Sequence, residues 1–263
     1  MQITIIGCGN MGKGLAQRLS QTNQLFLYDH NNEKSELLAQ EGYGKACASI
    51  IEALSPSEML ILAVKPQNLK QLAESIKDTL RDSQIVVSLL AGTTIETLRQ
   101  FFPSVQIVRM MPNLPLIYGE GVIGLTLSKK MKNEDKEHLT KIFESLGKIY
   151  WLSEEKIDAL TALAGSGPAF FFVMIEAMID AGIAMGFSAL EAQSLIYQML
   201  RGSLTLLEHT SRHPGELKWQ IASPQGTTIA GLKRLEELAL RGGIMNTFLA
   251  AYDRANKLSC EES

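Results

Sequence analysis

The sequence predicts an α/β fold, with an N-terminal Rossmann-type doubly wound sheet followed by an all-helical C-terminal domain. Three observations support this prediction. Short β-rich runs alternate with amphipathic segments as far as residue 152, a glycine-rich loop follows the first run, and strand patterns are absent afterwards. Alternating strands and helices are typical of a largely parallel sheet with right-handed crossovers. We therefore place one domain at residues 1–152 and a second at residues 153–263.

The first domain contains seven predicted strands separated by helical segments. Two runs, Leu60–Val64 and Ile85–Val87, contain only apolar residues, as expected for strands that helices cover on both faces. The strands are predicted at Ile3–Ile6, Gln24–Tyr28, Glu58–Val64, Gln84–Leu89, Val105–Met110, Val122–Leu127 and Lys148–Leu152. The helices are predicted at Met11–Ser20, Glu33–Gln40, Asn68–Leu80, Ile95–Phe101 and Glu134–Leu146.

The second domain is helical in composition. Glu154–Phe187 is predicted to be helical, with an interruption around Gly165–Pro168. Ser188 and Glu191 have the spacing of a capping box, which predicts a helix over Ser188–Glu208. Further helices are predicted at Pro214–Ala222, Thr227–Leu240 and Ile244–Lys257. The apolar stretch Ala162–Ile175 is too short to span a bilayer, and we expect it to form a buried helix.

Composition and charge narrow the class of protein. The 263 residues are 46% hydrophobic with a formal net charge of −3, and the interleaved charges argue against a nucleic-acid partner. Cys8, Cys47 and Cys260 form no CxxC pair, so neither a disulfide framework nor a zinc site is expected. The four histidines form no metal-binding pattern, and we expect no metal. The chain opens on a strand pattern rather than an export signal, which favours a soluble, cytoplasmic protein without a membrane partner.

The segment GCGNMG at residues 7–12 follows the first predicted strand and opens a helix. This spacing predicts a dinucleotide-binding loop. Gly7 permits a tight turn, Gly9 lets a pyrophosphate approach the backbone, and Gly12 lets the helix pack on the strand. The N-terminal N–H groups of the helix predicted from Met11 then point at the anion, and Asn10 and Met11 are expected to bind the cofactor with the glycines. The alternative is a glycine-rich turn that binds nothing.

Asp29 ends the second predicted strand. A carboxylate at this position can accept hydrogen bonds from the ribose hydroxyls of NAD, and it repels the additional phosphate of NADP. No arginine follows, because the next residues are His30, Asn31 and Asn32. The sequence therefore favours NADH over NADPH. Alternatively, Asp29 caps the next helix or points outward.

Further motifs follow the glycine loop in order. They are Ala63-Val64-Lys65-Pro66, Ala91-Gly92, Met111-Pro112-Asn113-Leu114-Pro115, Gly165-Ser166-Gly167-Pro168-Ala169, His213-Pro214-Gly215 and Ser223-Pro224-Gln225-Gly226-Thr227-Thr228-Ile229. In order and spacing, the chain resembles the pyrroline-5-carboxylate reductase family over essentially its whole length. Two positions depart from the family pattern, since Gln225 replaces a usual glycine and Leu114 a usual threonine. A side chain at a glycine position restricts the backbone and narrows the space beside a ligand, so Gln225 bears on substrate fit.

The resemblance implies an enzyme that reduces the cyclic imine of Δ1-pyrroline-5-carboxylate to L-proline with NADPH or NADH, the last step of proline biosynthesis. It also implies that the helical domain binds the substrate and joins two chains in a homodimer, which commonly assembles further into a decamer. Hydride transfer to an imine depends mainly on positioning and a dry pocket. A protonated imine can take its proton from solvent, so the lack of a histidine cluster fits this reaction.

The implied substrate site lies at Ser223–Thr228, just before a predicted helix. Free N–H groups and the helix dipole there favour the substrate carboxylate, and the serine and threonine side chains add hydroxyl groups. Thr228 matches the family threonine that contacts the substrate, and we expect it near the ring nitrogen. The expected site residues are Ser223, Gly226, Thr227 and Thr228. The alternative is an ordinary helix start, capped by serine or threonine and preceded by a proline turn.

The implied cofactor cleft follows the rule that ligands of open α/β sheets bind at the carboxyl ends of the strands. The resemblance implies that the cleft is lined by Ala63, Val64, Lys65, Pro66, Ala91 and Gly92. The Lys65 side chain either meets cofactor oxygens or extends into water.

Two other functions remain open. A 3-hydroxyacid dehydrogenase also pairs a Rossmann domain with a helical one, but it needs a base near the hydroxyl group. Enzymes of that type use a lysine after a glycine-rich segment, and Gly165–Ile175 contains no lysine. A non-catalytic dinucleotide-binding relative, in which Gln225 blocks the substrate, would bind NADH without oxidising it.

Overall fold

The computed structural model describes residues 1–128 and 132–261. Within these residues, eight strands form one sheet: β1 (Gln2–Ile6), β2 (Gln24–Tyr28), β3 (Lys45–Ala46), β4 (Met59–Leu62), β5 (Ile85–Ser88), β6 (Gln106–Met111), β7 (Gly121–Leu127) and β8 (Gly147–Trp151). Their order is β3-β2-β1-β4-β5-β6-β7-β8, and only β6 and β7 pair antiparallel. The first six strands have the Rossmann order. The predicted fold class is confirmed.

Helices surround this sheet. They are α1 (Asn10–Leu19), α2 (Asn32–Gln40), α3 (Ile50–Leu54), α4 (Leu69–Ile76), α5 (Ile95–Phe101), α6 (Asn133–Phe143) and α7 (Ile157–Leu160). Shorter 3-10 turns occur at Pro66–Asn68, Leu114–Tyr118, Glu144–Leu146 and Glu154–Lys156, and a π-helical turn at Thr161–Gly165.

Both faces of the sheet are covered, as the apolar runs predicted. The side chains of β4 are fully buried, and those of β1 nearly so. On one face, Leu15 of α1 and Phe143 of α6 belong to one core cluster. On the other face, Leu69 of α4 and Leu98 of α5 belong to a second cluster. Burial on both faces removes apolar surface from water and holds the carboxyl ends of β1, β4 and β5 side by side.

Two elements of the first half have no counterpart in the predictions. Strand β3 contains only two residues, and α3 only five, so neither is long enough to display a hydrophobic period. Helix α4 ends at Ile76 rather than at Leu80, because the Thr79 N–H turns back to the Ile76 carbonyl at 2.9 Å. The predicted strands agree with the observed ones within two residues at each end.

A partly buried ion pair connects β6, α5 and the segment that follows β8. Arg109 of β6 is 4% exposed, and its Nη1 donates to Glu154 Oε1 at 2.9 Å. The same oxygen accepts the Ile95 N–H at the start of α5, at 2.7 Å. A carboxylate at a helix N-terminus is favourable both for the dipole and for the free N–H group. Glu154 therefore fixes the segment that leaves β8 against β6 and α5.

Asn113 provides a second connection in this region. Its side-chain Nδ2 donates to the Ala164 carbonyl at 3.0 Å, and its Oδ1 accepts the Val122 N–H at 2.8 Å. Both ends of the buried carboxamide are thus satisfied. The π-helical turn that contains Ala164 is closed by a bond from Ser166 N–H to the Thr161 carbonyl at 2.9 Å. The predicted interruption near Gly165 is this turn.

The remaining helices are α8 (Gly167–Ala184), α9 (Ala189–Thr210), α10 (Pro214–Ile221), α11 (Thr227–Glu237) and α12 (Leu240–Glu261). Ser188 and Glu191 form the predicted capping box, with the Ser188 N–H 2.9 Å from Glu191 Oε2. Helix α12 is longer than predicted and begins at Leu240. The described residues after 152 contain no strand, so the all-helical prediction for this region is confirmed.

The chain divides into two compact units. One contains Met1–Ser166 together with Ala251–Ser263, and the other contains Gly167–Ala250. Residue 152, our boundary from the sequence, marks where strands give way to helices. The compact units instead divide after Ser166, and α12 contributes residues to both. The last two residues of the predicted second domain lie outside the described part.

The prediction of a buried helix at Ala162–Ile175 is wrong for the single chain. Helix α8 is apolar over most of its surface, with Glu176 and Asp180 as its charged residues, yet Phe172 is 59% and Val173 64% exposed. The helical stretch Glu154–Ala184 is long and apolar enough, by length and composition alone, to cross a membrane, and 11% of its most apolar window is buried. A helix with this much apolar surface requires cover. The rest of the described chain does not cover the apolar surface of α8.

Candidate functional site

The turn after β1 brings the glycine loop against the end of β4. Gly7 has a φ of 100°, and its N–H donates to the Tyr28 carbonyl at 2.8 Å. A Cβ added to Gly7 would lie 2.5 Å from the Ala63 carbonyl oxygen. Both the positive φ and this close approach require glycine.

The other two glycines of the loop have opposite surroundings. A Cβ added to Gly12 would clash with the Gly7 carbonyl oxygen, so Gly12 lets α1 pack directly on the turn. A Cβ added to Gly9 would meet no atom within 4 Å. The loop is therefore tightly packed on the inside and open on the outside, where a diphosphate would approach the backbone.

Helix α1 begins at this open side without a side-chain cap. Gly9 is its N-cap, and the first helical bond runs from the Lys13 N–H to the Gly9 carbonyl at 2.8 Å. Within the described residues, the N–H groups of Asn10, Met11 and Gly12 have no hydrogen-bond partner. Free N–H groups at the positive end of a helix suit an anion. The residues present thus fit a dinucleotide diphosphate.

The side chain of Asp29 holds the glycine loop in place by a hydrogen bond. Its carboxylate is 5% exposed; Oδ2 accepts the Cys8 N–H at 2.7 Å, and Oδ1 accepts the Asn31 N–H at 3.0 Å. His30 Nδ1 lies 2.9 Å from Oδ1. The N-cap of α2 is Asn31, not Asp29, so the capping alternative is wrong. An ionised carboxylate accepts about four hydrogen bonds, which leaves Oδ2 able to accept one more.

A cleft of about 480 Å³ opens at the carboxyl ends of the strands, lined by Ile6, Gly7, Tyr28, Asp29, His30, Ile50, Val64, Asn68, Gln71, Leu72 and Ser75. Three of the predicted cofactor residues, Gly7, Asp29 and Val64, line it directly. Ala63 touches the glycine turn, and its N–H donates to the Ile6 carbonyl at 2.8 Å.

The other predicted cofactor residues follow the neighbouring strands of the same edge. Lys65 is exposed and precedes the 3-10 turn that begins at Pro66. Ala91 and Gly92 follow β5, and Gly92 is buried with a φ of 77°. Since β4 and β5 pair Leu62 with Ser88 in parallel register, these segments leave the sheet at the same edge as the glycine loop.

Three polar residues that line the cleft were not predicted from the sequence as site residues. Asn68, Gln71 and Ser75 line it from the segment after β4. Their spacing of three and four residues puts them on one face of a helix, and this spacing is the signal in the sequence that could have revealed them.

The thiol of Cys8 is held beneath the glycine loop rather than toward the cleft. Its Sγ lies 3.8 Å from the Tyr28 carbonyl oxygen, and the residue is 6% exposed. Burial, with a smaller contribution from the negative charge of Asp29, raises the pKa of the Cys8 thiol to about 12. The thiol therefore stays protonated and serves packing.

The predicted substrate residues lie in the other compact unit, at the beginning of α11. Its N-cap is Gly226 with no side-chain cap, and the Gly226 N–H donates to the Ser223 carbonyl at 3.0 Å. A Cβ added to Gly226 would clash with Ser223 Oγ, so the serine hydroxyl sits over the helix start. Within the described residues, the N–H groups of Thr227, Thr228 and Ile229 have no partner. In the alternative reading, a serine or threonine side chain would cap this helix after a proline turn; the turn at Pro224 is present, but no side chain caps the helix.

A larger groove of about 630 Å³ lies elsewhere in the first unit, and its lining is Ile95, Glu96, Arg99, Thr126, Leu127, Lys136, Trp151, Leu152, Ser153 and Glu154. It contains none of the predicted site residues and is not formed by the glycine loop. The larger of these two cavities is therefore not the one that contains the predicted cofactor residues. Across residues 1–128 and 132–261, no group of three or more His, Cys, Asp or Glu side chains could hold a metal ion.

Comparison with known proteins agrees with this arrangement. A family model described as "Pyrroline-5-carboxylate reductase dimerisation" matches residues 154–258. A second, described as "NADP oxidoreductase coenzyme F420-dependent", matches residues 2–92. The first match covers the exposed apolar helices, and it assigns that region to assembly with another copy.

Full-length relatives point the same way. The chain is 33% identical over 263 residues to pyrroline-5-carboxylate reductase of Arabidopsis thaliana, covering 98% of this chain and 95% of that protein. It is 34% identical to that of Aquifex aeolicus, covering 98% and 97%. Its fold matches the crystal structure of the Plasmodium falciparum pyrroline carboxylate reductase with NADP bound, with a TM-score of 0.90, 28% identity and 98% of each chain covered. The resemblance predicted from the motifs is confirmed, and the chain belongs to the pyrroline-5-carboxylate reductase family.

Proposed function

We propose that this protein reduces the cyclic imine of Δ1-pyrroline-5-carboxylate to L-proline with a nicotinamide dinucleotide, the last step of proline biosynthesis. The proposal depends mainly on the glycine turn of the first unit. Gly7 packs against the Ala63 carbonyl on one side of this turn, and Gly9 has free space beside it on the other. This cradle, together with the uncapped start of α1, suits a diphosphate. Membership of the reductase family supplies the substrate class.

The cofactor residues have distinct roles in this proposal. The free N–H groups of Asn10, Met11 and Gly12 bind the diphosphate, and Gly7 and Gly9 leave room for its close approach. The remaining acceptor site of Asp29 binds a ribose hydroxyl group. The segments containing Ala63, Val64, Lys65, Pro66, Ala91 and Gly92 line the cleft beyond the diphosphate, toward the nicotinamide.

The substrate carboxylate binds at the start of α11. The unpartnered N–H groups of Thr227 and Thr228 and the hydroxyl of Ser223 supply neutral donors there, and the helix dipole adds favourable potential. The hydroxyl of Thr228 holds the ring nitrogen. Gly226 keeps Ser223 close to the helix start, since any Cβ at position 226 would displace the serine hydroxyl.

The chemistry needs little acid–base assistance from the chain. When bound, the reduced nicotinamide supplies a hydride. The carbon atom of the protonated imine accepts this hydride. The C=N bond becomes a C–N single bond, and the nitrogen receives the π electron pair and keeps its proton. The residues of the two helix starts therefore act by orientation and by holding charge.

A spectrophotometric assay tests the function directly. The purified chain should oxidise NADH or NADPH when Δ1-pyrroline-5-carboxylate is added, with L-proline as the product detected by mass spectrometry. A chain that binds the dinucleotide but leaves the imine unchanged would be the non-catalytic relative instead. Reduction or oxidation of a 3-hydroxyacid, with no reaction on the imine, would favour the dehydrogenase alternative.

We further propose that Asp29 makes the enzyme prefer NADH, because its carboxylate would repel a 2′-phosphate at the ribose. Asp29→Asn keeps an acceptor for the Cys8 N–H but removes the negative charge. The ratio of kcat/KM for NADH to that for NADPH should fall by about 10- to 100-fold, as expected for loss of a charge-assisted contact and relief of repulsion.

The matched control for this change is Asp82→Asn, an exposed aspartate in the turn before β5. It should leave the ratio unchanged. If Asp29→Asn also leaves the ratio unchanged while its melting temperature matches that of the wild type, Asp29 does not select the cofactor.

Thr228→Val tests the substrate site. Valine keeps the shape of threonine but removes the hydroxyl group, so kcat/KM for the imine should fall by about 10- to 100-fold. The NADH dissociation constant, measured by fluorescence, should not change. Thr22→Val removes an exposed hydroxyl in the turn before β2 and serves as the control. Equal kinetics for Thr228→Val and the wild type would remove Thr228 from the site.

We also propose that the chain works in the cytoplasm as a homodimer, joined through α8 and its neighbours, which assembles further into a larger homo-oligomer such as a decamer. The exposed apolar side chains of α8 support this proposal, because a second copy would remove them from water.

Val173→Asp places a charge on the proposed interface. Light scattering after gel filtration should show a smaller species than the wild type, because burying an unpaired carboxylate opposes association. Leu37→Asp, at a 52% exposed apolar position on α2, should keep the wild-type mass. A wild-type chain that stays monomeric at micromolar concentration would contradict the proposal.

A further inference from the structure

The groove of about 630 Å³ in the first compact unit is separate from the cofactor cleft. The two cavities share no lining residue, and every residue that lines the groove belongs to the unit that contains the glycine loop. Sites for small organic ligands commonly enclose about 300–1,000 Å³, whereas a single inorganic ion fills only a small part of such a volume. The groove is therefore large enough for an organic ligand of nucleotide size.

Two cationic side chains that line the groove have no ion-pair partner among residues 1–128 and 132–261. Arg99 of α5 and Lys136 of α6 are both partly buried, and no described carboxylate lies within ion-pair distance of either. Glu96 lines the same groove three residues before Arg99, a spacing that permits a pair on a helix, yet the two side chains are not paired. Each cation has lost part of its hydration without gaining an acidic partner, so a bound anion would stabilise both.

A third cationic side chain, that of Arg109, lies on the same face of the sheet. Arg109 is directly opposite Thr126 in the antiparallel pair of β6 and β7, so the two side chains share a face, and Thr126 lines the groove. Glu154 bonds to Nη1 and balances the charge of the guanidinium, but the buried Nη2 has no acceptor among the described residues. Buried donors are normally satisfied. The missing acceptor is a second, independent indication of a bound group at this face.

Trp151 adds a flat aromatic surface to the groove. It is partly exposed there, and its Nε1 donates to Thr140 Oγ1 at 3.1 Å, which fixes the orientation of the ring. Lys136 Nζ lies 5.7 Å from the centre of the ring. Indole rings stack on planar bases, and cations bind phosphate oxygens. A ring beside a cation therefore fits a ligand that carries both a planar base and a phosphate.

We propose that the groove is a second ligand site, which binds a nucleoside phosphate with its base on the Trp151 ring and its phosphate between Arg99 and Lys136. The site goes beyond the proposed reduction, because it lies outside the cofactor cleft and contains none of the residues assigned to the substrate. Inorganic phosphate would use only the two cations, and a nucleoside only the ring. Full affinity therefore requires both parts of the ligand.

Calorimetric titration of adenosine 5′-monophosphate (AMP) into the wild-type chain tests the site. Saturating NADH is present throughout, so that the cofactor cleft is filled and AMP cannot bind there. AMP should bind with a saturable isotherm, while adenosine and inorganic phosphate should each bind at least about tenfold more weakly, since each lacks one of the two contacts.

Substitution of the two cations tests the assignment of the phosphate. Arg99→Gln and Lys136→Gln should each raise the Kd for AMP about tenfold or more, because each removes a charge-assisted contact. Arg99→Lys keeps the charge and should recover part of the loss. The matched control is Lys141→Gln, which removes an exposed cation from the same helix α6 outside the groove and should leave the Kd unchanged. The melting temperature of each variant checks that it is folded.

The fluorescence of Trp151 tests the position of the base without altering the groove. The chain contains two tryptophans, so Trp151 is the only one left in Trp219→Phe, and Trp219 lies in the other compact unit. AMP should quench this emission over the same concentration range as the calorimetric isotherm, because a base stacks on the indole. Inorganic phosphate should leave the emission unchanged.

The proposal is overturned if AMP gives no saturable binding to the NADH-saturated wild type, or if folded Arg99→Gln and Lys136→Gln bind AMP as the wild type does. It is also overturned if inorganic phosphate binds as tightly as AMP, since the groove would then hold an anion without using Trp151. Failure of the chain to reduce the imine would contradict the proposed function alone, because AMP binding at the groove does not depend on turnover.

Discussion

The carbonyl oxygen of Ala63 and the backbone of Gly7 approach so closely that no side chain fits between them. This contact exists because β1 and β4 lie side by side in parallel register, with Ile6 opposite Leu62. It forces the chain to turn sharply after β1 and directs the start of α1 into open space beside Gly9. The same backbone contact therefore packs the end of β1 against the end of β4 and shapes the open loop that suits a diphosphate.

The strands and the largely parallel sheet could be predicted because the physical signals were local. Apolar runs such as those in β4 and β5 reveal strands buried on both faces, and glycine spacing reveals the turn after β1. Strand β3 and helix α3 escaped prediction because they are too short to show a period. Asn68, Gln71 and Ser75 escaped prediction because they become a cleft wall only in the folded chain, where they share the cleft with Ile6 and Tyr28 at the ends of β1 and β2.

Hydropathy indicates that a helix must be buried, but it does not indicate whether the same chain or another chain buries it. The composition of α8 indicates that the helix must be covered, and we took the cover to come from the same chain. The described chain leaves its phenylalanine and valine side chains exposed. Similarly, Asp29 could be recognised as a strand-end acid, but its bonds to the Cys8 and Asn31 N–H groups depend on how the loop folds over β2. In both cases the missing information is three-dimensional.

The position of Cys8 has a consequence for oxidative damage. Peroxides react with thiolates, and burial raises the pKa of the Cys8 thiol to about 12, so the thiol form predominates at neutral pH. The sulfur is also turned under the loop and away from solvent. A cysteine in the middle of an exposed glycine loop would ordinarily be vulnerable to oxidation, and here the fold itself shields it.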